Sequence, residues 1–425
     1  MVLSKTSQTM LKIINSIPIK PTKHDVNTTF VFSQLYNDLL EATEYIKYNK
    51  SIKLYPHFNL RVTHITSMKQ IPKPQLFDSN SFPKMVREHI DQNTLYDLSY
   101  TFSLLERNIT VHFLVEDCKI EDNIQKYNEY VERIYTLFYI INKYCCQKCS
   151  KHVAVFIYST SLKKELPKSN IEVLGQNHVN TAFTYSCIEK YNEIVLFRTE
   201  EWFKVLIHES FHHFGLDFSD MHIKTIDKKI SVLFGVETQV NIFEAYTEFW
   251  ARMLNVCFCS FYLCDSEKMT SHQKQEKNYI QFCYLFMDME RKYSLFQMNK
   301  TLHFMGLQYE SLYTDTRDSK LLRRTMYKEK SSILSYYIIT AILMDNYTNF
   351  LTWCKKYNTF SLLQFNKTST SLEKFYEFIA FHYKSKSFLS NVDIVEKFFN
   401  VYKNKSNKNK QFMLNTMTMT VCELE

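Results

Sequence analysis

Glycine and proline are scarce in this sequence, with 4 and 7 residues among 425. Both residues interrupt regular helices, so their scarcity argues against a chain of many tight turns and favours a helix-rich fold. No apolar run reaches the roughly 18 residues that a membrane span needs, and the best one, ILSYYIITAILM at 333–344, is too short. The N-terminal residues also contain no apolar stretch of secretory length. The sequence therefore predicts a soluble, intracellular protein.

The excess of positive over negative charge is also small for a chain of this length. The net charge of +8 is spread over the whole chain, and the dense basic run is YKNKSNKNKQ at 402–411. Such a run is typical of a solvated loop, so nucleic acid is not the expected partner, and a basic nucleic-acid-binding protein stays the weaker alternative. Hydrophobic residues make up 45 % and aromatic residues 16 % of the chain, which excludes a disordered protein and predicts a large buried core.

The 11 cysteines stand at irregular positions in a chain without an export signal, which predicts reduced thiols. One cluster, CCQKCSKH, places Cys145, Cys146, Cys149 and His152 close together along the chain. A structural zinc site would need a second Cys/His pair at zinc-finger spacing, and none follows. We therefore expect these cysteines to be buried or idle thiols.

Hydrophobic residues alternate with polar ones over much of 53–198, a pattern that predicts strands, and one helical stretch interrupts it. Two of the strands, joined by ERN, are expected to form a hairpin. The later half of the chain is mainly helical in pattern. The predicted elements are strands at 58–66, 95–105, 108–116, 152–160, 179–186 and 193–198, and an amphipathic helix at 122–144.

The stretch VLIHESFHHFGLDFSD at 205–220 carries the strongest chemical signal, and it reads as the end of a helix. Thr199 is the expected N-cap of this helix, followed by two glutamates in the first turn, where the helix dipole favours negative charge. Gly215 is expected to end the helix in a left-handed conformation. The polar residues of the stretch therefore lie in the last turns of a helix.

His208 and His212 are four residues apart, so a helix places both imidazoles on one face, where they can bind one metal ion. A catalytic zinc held by two imidazoles needs a third protein ligand and an open position for water, whose pKa it lowers. Glu209 stands beside the first histidine and is placed to act as the general base for that water. The alternative is an ordinary helix with two surface or capped histidines.

A second helical stretch, 237–256, supplies the candidate third ligand. Glu244 and Glu248 lie four residues apart and therefore on one face of this helix. Glu244 can complete a site of two histidines and one carboxylate. Glu248 can accept the free imidazole N–H of a ligand and so orient it. The alternative is a pair of solvent-facing glutamates, although both stand among aromatic residues.

The motifs HESFH and FEAYTE resemble those of the gluzincins, the thermolysin-like zinc metallopeptidases, whose patterns are H-E-x-x-H and N-E-A-x-x-D. The resemblance implies that His208, His212 and Glu244 bind Zn²⁺ and that Glu209 is the base. It also implies that Glu248 replaces the usual aspartate of the second coordination shell. Both motifs therefore indicate the same metal site.

The resemblance also implies an α+β fold: a zincin-like core, with a mixed sheet, an edge strand and an active-site helix, plus a helical C-terminal subdomain. In such enzymes the strand before the active helix binds the extended substrate. NTAFTYS looks like that strand, with Asn180 and Ala182 as the substrate contacts. The expected domains are an N-terminal mixed region (1–96), the catalytic core (97–265) and the helical subdomain with its basic tail segment (266–425).

Two assignments stay open within this resemblance. Metzincins, a second zincin group, continue H-E-x-x-H-x-x-G-x-x-H, and Gly215 matches their glycine, but Phe218 stands at the next ligand position. Asp217 is therefore the weaker alternative for the third ligand and otherwise an outer contact of His212. Zincins of this type also use a tyrosine or histidine to stabilise the oxyanion. The candidates are Tyr336, Tyr337 and His303, and less favourably His272 and Tyr246.

The expected function is hydrolysis of peptide bonds in a peptide or protein substrate by metal-activated water. A different class is a zincin fold kept as a structural or interaction module, for example in a virion. The AT-biased composition and a faint similarity to peptidase-like proteins of large DNA viruses motivate this alternative. Glu209 argues against it, because a purely structural metal site needs no base.

Overall fold

The computed structural model describes residues 2–52, 58–265, 272–359, 361–404 and 408–425, so the middle of the basic run at 402–411 lies outside the described residues. The fold is α+β with a mixed sheet, as predicted. Within the described residues, no helix combines the length and apolarity that crossing a bilayer requires. The helices are α1 (Lys5–Asn15), α2 (Val26–Ser51), α3 (Lys84–Asn93), α4 (Ile120–Tyr144), α5 (Gln176–Val179), α6 (Trp202–His213), α7 (Lys224–Phe234), α8 (Ile242–Asp265), α9 (His272–Phe304), α10 (Glu310–Tyr313), α11 (Arg317–Met326), α12 (Thr340–Asp345), α13 (Tyr347–Tyr357), α14 (Ser369–His382), α15 (Lys386–Lys403) and α16 (Lys408–Asn415).

The strands form one large sheet and one short ladder in the described part of the chain. They are β1 (Asn59–His64), β2 (Tyr96–Leu104), β3 (Arg107–Val115), β4 (His152–Ser159), β5 (Leu174–Gly175), β6 (Ala182–Thr184), β7 (Tyr191–Leu196) and β8 (Glu329–Lys330). The sheet has the order β1-β2-β3-β4-β7-β6, and β5 pairs with β8. β2 and β3 form the predicted hairpin, β3, β4 and β7 run parallel, and β6 is antiparallel to β7. The stretch 180–186 thus supplies an edge strand, as expected.

The chain divides into two compact units whose segments alternate along the sequence. The sheet unit comprises Leu35–Lys163 and Thr181–Asp220. The helical unit comprises Met1–Gln34, Lys164–Asn180 and Met221–Glu425. Each unit has its own core.

Helices cover both faces of the large sheet in the sheet unit. On one face, Val86 and Ile90 of α3 pack with Phe156 and Val195 of the strands. On the other face, the ring of Phe113 contacts aromatic side chains of α4 and α6. The apolar stripe predicted for the 122–144 helix is buried, which confirms that prediction. α6 is therefore held against the sheet by burial of its apolar residues.

The helical unit is built around α8 and α9. Every residue of α9 from Phe286 to Leu302 is buried, which is typical of a helix at the centre of a large core. The segment 416–424, named here the C-terminal strap, is also buried apart from a half-exposed Glu423. The sequence alone assigned this segment no role. Side chains of α9 form hydrogen bonds with its backbone.

Cys149 and Cys187 form a disulfide, which corrects the expectation that all cysteines are reduced thiols. The backbone explains the pairing, because Ser150 N donates to Ile188 O at 2.8 Å and the neighbouring residues continue this pairing. The two cysteines are 38 residues apart, a separation that no local pattern reveals. Among the described residues the other cysteines are free thiols, including Cys145 and Cys146 of the predicted cluster.

Replacing both bridged residues, Cys149→Ser with Cys187→Ser, is expected to lower the free energy of unfolding by about 4 kcal/mol, because a closed loop of this length restricts the unfolded chain. Urea denaturation of the protein, followed by a signal from the sheet unit, measures the loss of unfolding free energy. Cys146→Ser, which removes an exposed free thiol, is the control and is expected to leave stability unchanged. Equal stability of the double variant and the wild type under oxidising conditions would contradict the bridge.

Candidate metal centre

α6 begins later than the sequence predicts. Thr199 does not cap it, because its Oγ1 donates to the carbonyl oxygen of Thr160 at 3.0 Å and so ties the chain to the end of β4. Glu201 takes the cap position with a left-handed φ of 54° and makes no side-chain capping bond. The helix then runs from Trp202 to His213, with nearly all of its side chains buried.

The end of α6 follows the prediction. Gly215 has a φ of 64°, a conformation that costs glycine little and other residues more. Its N–H donates to His212 O at 3.0 Å, and Leu216 N donates to Phe211 O at 2.8 Å. These bonds satisfy carbonyls of the last turn, so the helix ends immediately after its histidines.

The imidazoles of His208 and His212 meet at their Nε2 atoms, which lie 3.1 Å apart. The rings are steeply inclined, with 76° between their planes. Two Zn–N bonds of normal length in a tetrahedral site place the nitrogens roughly 3.3 Å apart. The pair therefore has the separation that a shared metal ion requires, and His208 is only 6 % exposed.

Asp217 fixes the orientation of one of these rings. Its Oδ2 lies 2.6 Å from Nδ1 of His212, and its Oδ1 accepts a hydrogen bond from Ser219 Oγ at 3.0 Å. A fully buried carboxylate at this place favours the tautomer with the proton on Nδ1, which leaves the lone pair of Nε2 for a metal. Asp217 thus contacts the ring nitrogen of His212 that faces away from His208, which is the outer contact of His212 predicted as its alternative role.

The other polar residues of α6 differ in their surroundings. Glu209 follows His208 and is 8 % exposed. His213 is fully buried, and burial, together with the charge of Arg107, lowers its pKa to about 3, so its ring is neutral. Its Nδ1 lies 3.1 Å from Thr184 Oγ1 in β6. His213 thus ties the helix to the edge strand, and Glu209 is the carboxylate that directly follows His208 in the sequence.

Glu244 lies in the first turn of α8 and lines a cavity of about 480 Å³ inside the helical unit. The start of the helix is supported by Asp227, whose Oδ1 accepts a hydrogen bond from Ile242 N at 3.3 Å. The lining side chains are nearly all polar. They are Gln176, Asn180, Thr238, Gln239, Asn241, Glu244, Glu329, Lys330, Ser331, Ser332 and Tyr336.

Glu248, one turn further along α8, is almost completely buried. Its Oε1 accepts a hydrogen bond from Arg252 Nε at 2.8 Å, and Arg252 also donates to Ser294 Oγ. The four-residue spacing of Glu248 and Arg252 is the spacing of ion pairs on one helix face. The contact of Glu248 with a ligand imidazole stays a prediction.

Of the oxyanion candidates in the helical unit, Tyr336 lines the same cavity as Glu244. It lies in a π-helical segment, Leu334–Ile339, and such segments occur frequently at functional sites. Tyr337 is buried and donates its hydroxyl hydrogen to Met417 O at 2.6 Å. His303 lies 2.8 Å from Lys403 Nζ. Among the described residues, neither Tyr337 nor His303 belongs to the lining of this cavity.

The two residues predicted for the substrate strand lie on either side of its start. Ala182 is the first residue of β6 and pairs with Leu196 of β7. Asn180 precedes the strand, lines the cavity beside Glu244, and accepts a hydrogen bond from Ser331 Oγ at 2.7 Å. Ala182 is thus a strand residue, and Asn180 is a cavity residue.

Glu329 is a site residue that the sequence did not suggest. It lines the cavity, and its carboxylate accepts hydrogen bonds from Thr238 Oγ1 and Leu334 N, both at 2.8 Å. Burial raises its pKa to about 7. The charged stretch around Glu329 has no hydrophobic periodicity that would predict a site. The one sequence feature that could have indicated it is the position of Glu329 shortly before a helical segment.

Comparison with protein-family models, curated proteins and solved structures finds no match to this chain. The assignment of a metal site therefore rests on the two sequence motifs and on the geometry of the residues that carry them.

Proposed function

We propose that the protein is a zinc-dependent metallopeptidase of the gluzincin type that hydrolyses peptide bonds in peptide or protein substrates. The observation that carries the proposal is the histidine pair, with Nε2 atoms 3.1 Å apart on a buried helix and one ring oriented by a buried aspartate. A helix that only packs has no need for two converging imidazoles with a fixed tautomer.

The third ligand in this proposal is Glu244. Its carboxylate would supply one oxygen donor in addition to the two imidazole nitrogens of His208 and His212. Two imidazoles and one carboxylate are a donor set typical of catalytic zinc, with a fourth position left for water or substrate. The donor set therefore fits zinc.

Bound zinc would supply a Lewis acid for the substrate carbonyl and would lower the pKa of water. Glu209, next to His208 in sequence, would accept the proton of the attacking water and pass it to the leaving amine. Tyr336, in the same cavity as Glu244, would donate its hydroxyl hydrogen to the oxyanion. The two histidines and Glu209 would together provide the ligand and base chemistry of a hydrolase.

The edge strand β6 would hold the substrate. It pairs with β7 on one side and ends the strand order of the sheet, so its other side can accept an extended peptide. All of its residues are half-exposed. Backbone hydrogen bonds to this strand would bind peptides of many sequences, and Ala182 would be one of the contact residues.

Metal analysis of the purified protein tests the proposal. We expect one zinc per chain in the wild type and a loss of at least tenfold in zinc affinity for His208→Ala or His212→Ala, because each removes a ligand. His222→Ala, in the loop before α7, is the control and is expected to keep zinc. A wild type without zinc, or a double histidine variant that retains it, would contradict the metal site.

A peptide library tests the activity in the same samples. Cleavage that depends on zinc supports the peptidase. Stoichiometric zinc without cleavage of any peptide would instead favour a zincin fold kept as a structural module.

A further inference from the structure

We infer that the polar cavity beside Glu244 binds the substrate side chain next to the scissile bond, and that Glu329 selects substrates in which this side chain is basic. Lysine or arginine is therefore the expected residue at this position. The inference rests on the proposed function, because Glu244 is the proposed metal ligand. It adds a specificity-determining residue and a substrate class that the two motifs do not contain.

The lining of the cavity excludes an apolar side chain as the preferred occupant. Hydroxyl, amide and carboxylate groups dominate it, with Tyr336 as the aromatic member. An apolar side chain would displace water from these groups without replacing their hydrogen bonds, which is unfavourable. A volume of about 480 Å³ is within the range of ordinary ligand sites and accommodates one long side chain with water.

The cavity is held in place by hydrogen bonds between the elements that form it. Ser335 Oγ donates to Asn241 O at 2.8 Å, and Asn241 Nδ2 donates to Ser332 Oγ at 3.1 Å. β5 pairs with β8 next to these residues. Glu329 itself is fixed by bonds from Thr238 and Leu334. Its carboxylate is thus preorganised to accept a donor from the substrate.

The charge of the cavity favours a cation. With Glu244 bound to the proposed zinc ion, Glu329 is the remaining carboxylate of the cavity, and Lys330 is the one cation among the described lining residues. Lys330 is exposed, so solvent screens its ammonium group, whereas Glu329 is partly buried. Burial outweighs the hydrogen bonds to Glu329 and raises its pKa to about 7, and an ammonium or guanidinium group beside it would hold it in the charged form.

Matched peptides that differ only in the residue flanking the scissile bond test the inference. For the wild type, we expect kcat/KM to be roughly tenfold or more higher with lysine than with norleucine, which has a similar shape without the charge. Glu329→Gln is expected to reduce this ratio to near unity. Equal or better cleavage of the norleucine peptide by the wild type would overturn the inference.

Two further variants make the result independent of folding defects. Lys330→Glu changes an exposed residue and is expected to increase the lysine preference. Glu310→Gln changes an exposed glutamate outside the cavity lining and is expected to leave the preference unchanged. An unchanged preference in both Glu329→Gln and Lys330→Glu would also overturn the inference.

Binding separates this inference from the proposed function. Calorimetry with Nα-acetyl-lysine amide and Nα-acetyl-norleucine amide needs no catalysis. If no peptide is cleaved, the peptidase fails, while tighter binding of the lysine amide by the wild type than by Glu329→Gln still supports the cavity. Equal binding of both amides to the wild type would contradict the cavity assignment.

Discussion

Glu209→Gln is expected to lower kcat for peptide cleavage by roughly a hundredfold to ten-thousandfold, with zinc content and melting temperature as in the wild type. Glutamine has nearly the same shape but cannot accept the proton of the attacking water. Glu209 directly follows His208, and the substitution leaves both proposed ligand histidines in place. Timed peptide-cleavage assays measure kcat, and metal analysis of the same samples measures the zinc content.

The control for this prediction is Glu189→Gln, which neutralises an exposed glutamate of the sheet unit and is expected to keep full activity. A Glu209→Gln variant that cleaves peptides at the wild-type rate would show that another group acts as the base. Loss of both zinc and activity in that variant would indicate a structural contribution of Glu209 instead of proton transfer.

Removal of residues 416–425, which include the C-terminal strap, is expected to prevent stable folding of the helical unit. The strap buries apolar side chains and provides partners for polar groups of α9. Lys300 Nζ donates to Thr416 O, and Tyr293 donates to Thr418 O at 3.1 Å. Without the strap these buried groups lose partners, at a cost of roughly 1–3 kcal/mol each. Circular dichroism and proteolysis of the shortened chain measure the result.

A point substitution tests the same contact without shortening the chain. Glu290 is fully buried, and its Oε1 accepts hydrogen bonds from Val421 N at 2.9 Å, Cys422 N at 3.0 Å and Thr420 Oγ1. Glu290→Ala removes the acceptor that these three donors share and is expected to lower the free energy of unfolding by at least about 3 kcal/mol. Glu290→Gln keeps an acceptor oxygen and is expected to cost less.

Urea denaturation measures both Glu290 variants, and Glu310→Ala, at an exposed position, is the matched control with little expected change. A Glu290→Ala variant as stable as this control, or a truncated chain with native circular dichroism and protease resistance, would contradict the structural role of the strap.

Local patterns predicted the elements that depend on near neighbours in the chain. The hairpin of β2 and β3, the buried stripe of α4 and the end of α6 at Gly215 all follow from periodicity or from the conformational freedom of glycine. The edge position of β6 was predicted from the resemblance to a family, and its antiparallel pairing with β7 is now observed. Each of these features is decided within a few residues or within one sheet.

Contacts between distant residues were the ones that the sequence could not predict. The prediction that Thr199 caps α6 was wrong, because its hydroxyl donates to the carbonyl oxygen of Thr160, which is 39 residues away. The expectation of reduced thiols was wrong for Cys149 and Cys187, which the pairing of two loops brings together. Nothing local distinguished Tyr336 from Tyr337 either, since both belong to one apolar helical run.

The sequence by itself determined the paired histidines, because a four-residue spacing on a helix places two imidazoles on one face whatever surrounds them. Only the tertiary structure decided that Asp217 orients His212, that Tyr336 and Glu329 line the cavity of Glu244, and that α9 holds the C-terminal strap. The physical reason is that helical spacing is a property of the local backbone. The partner of a buried polar group, in contrast, depends on which distant segments exclude water together.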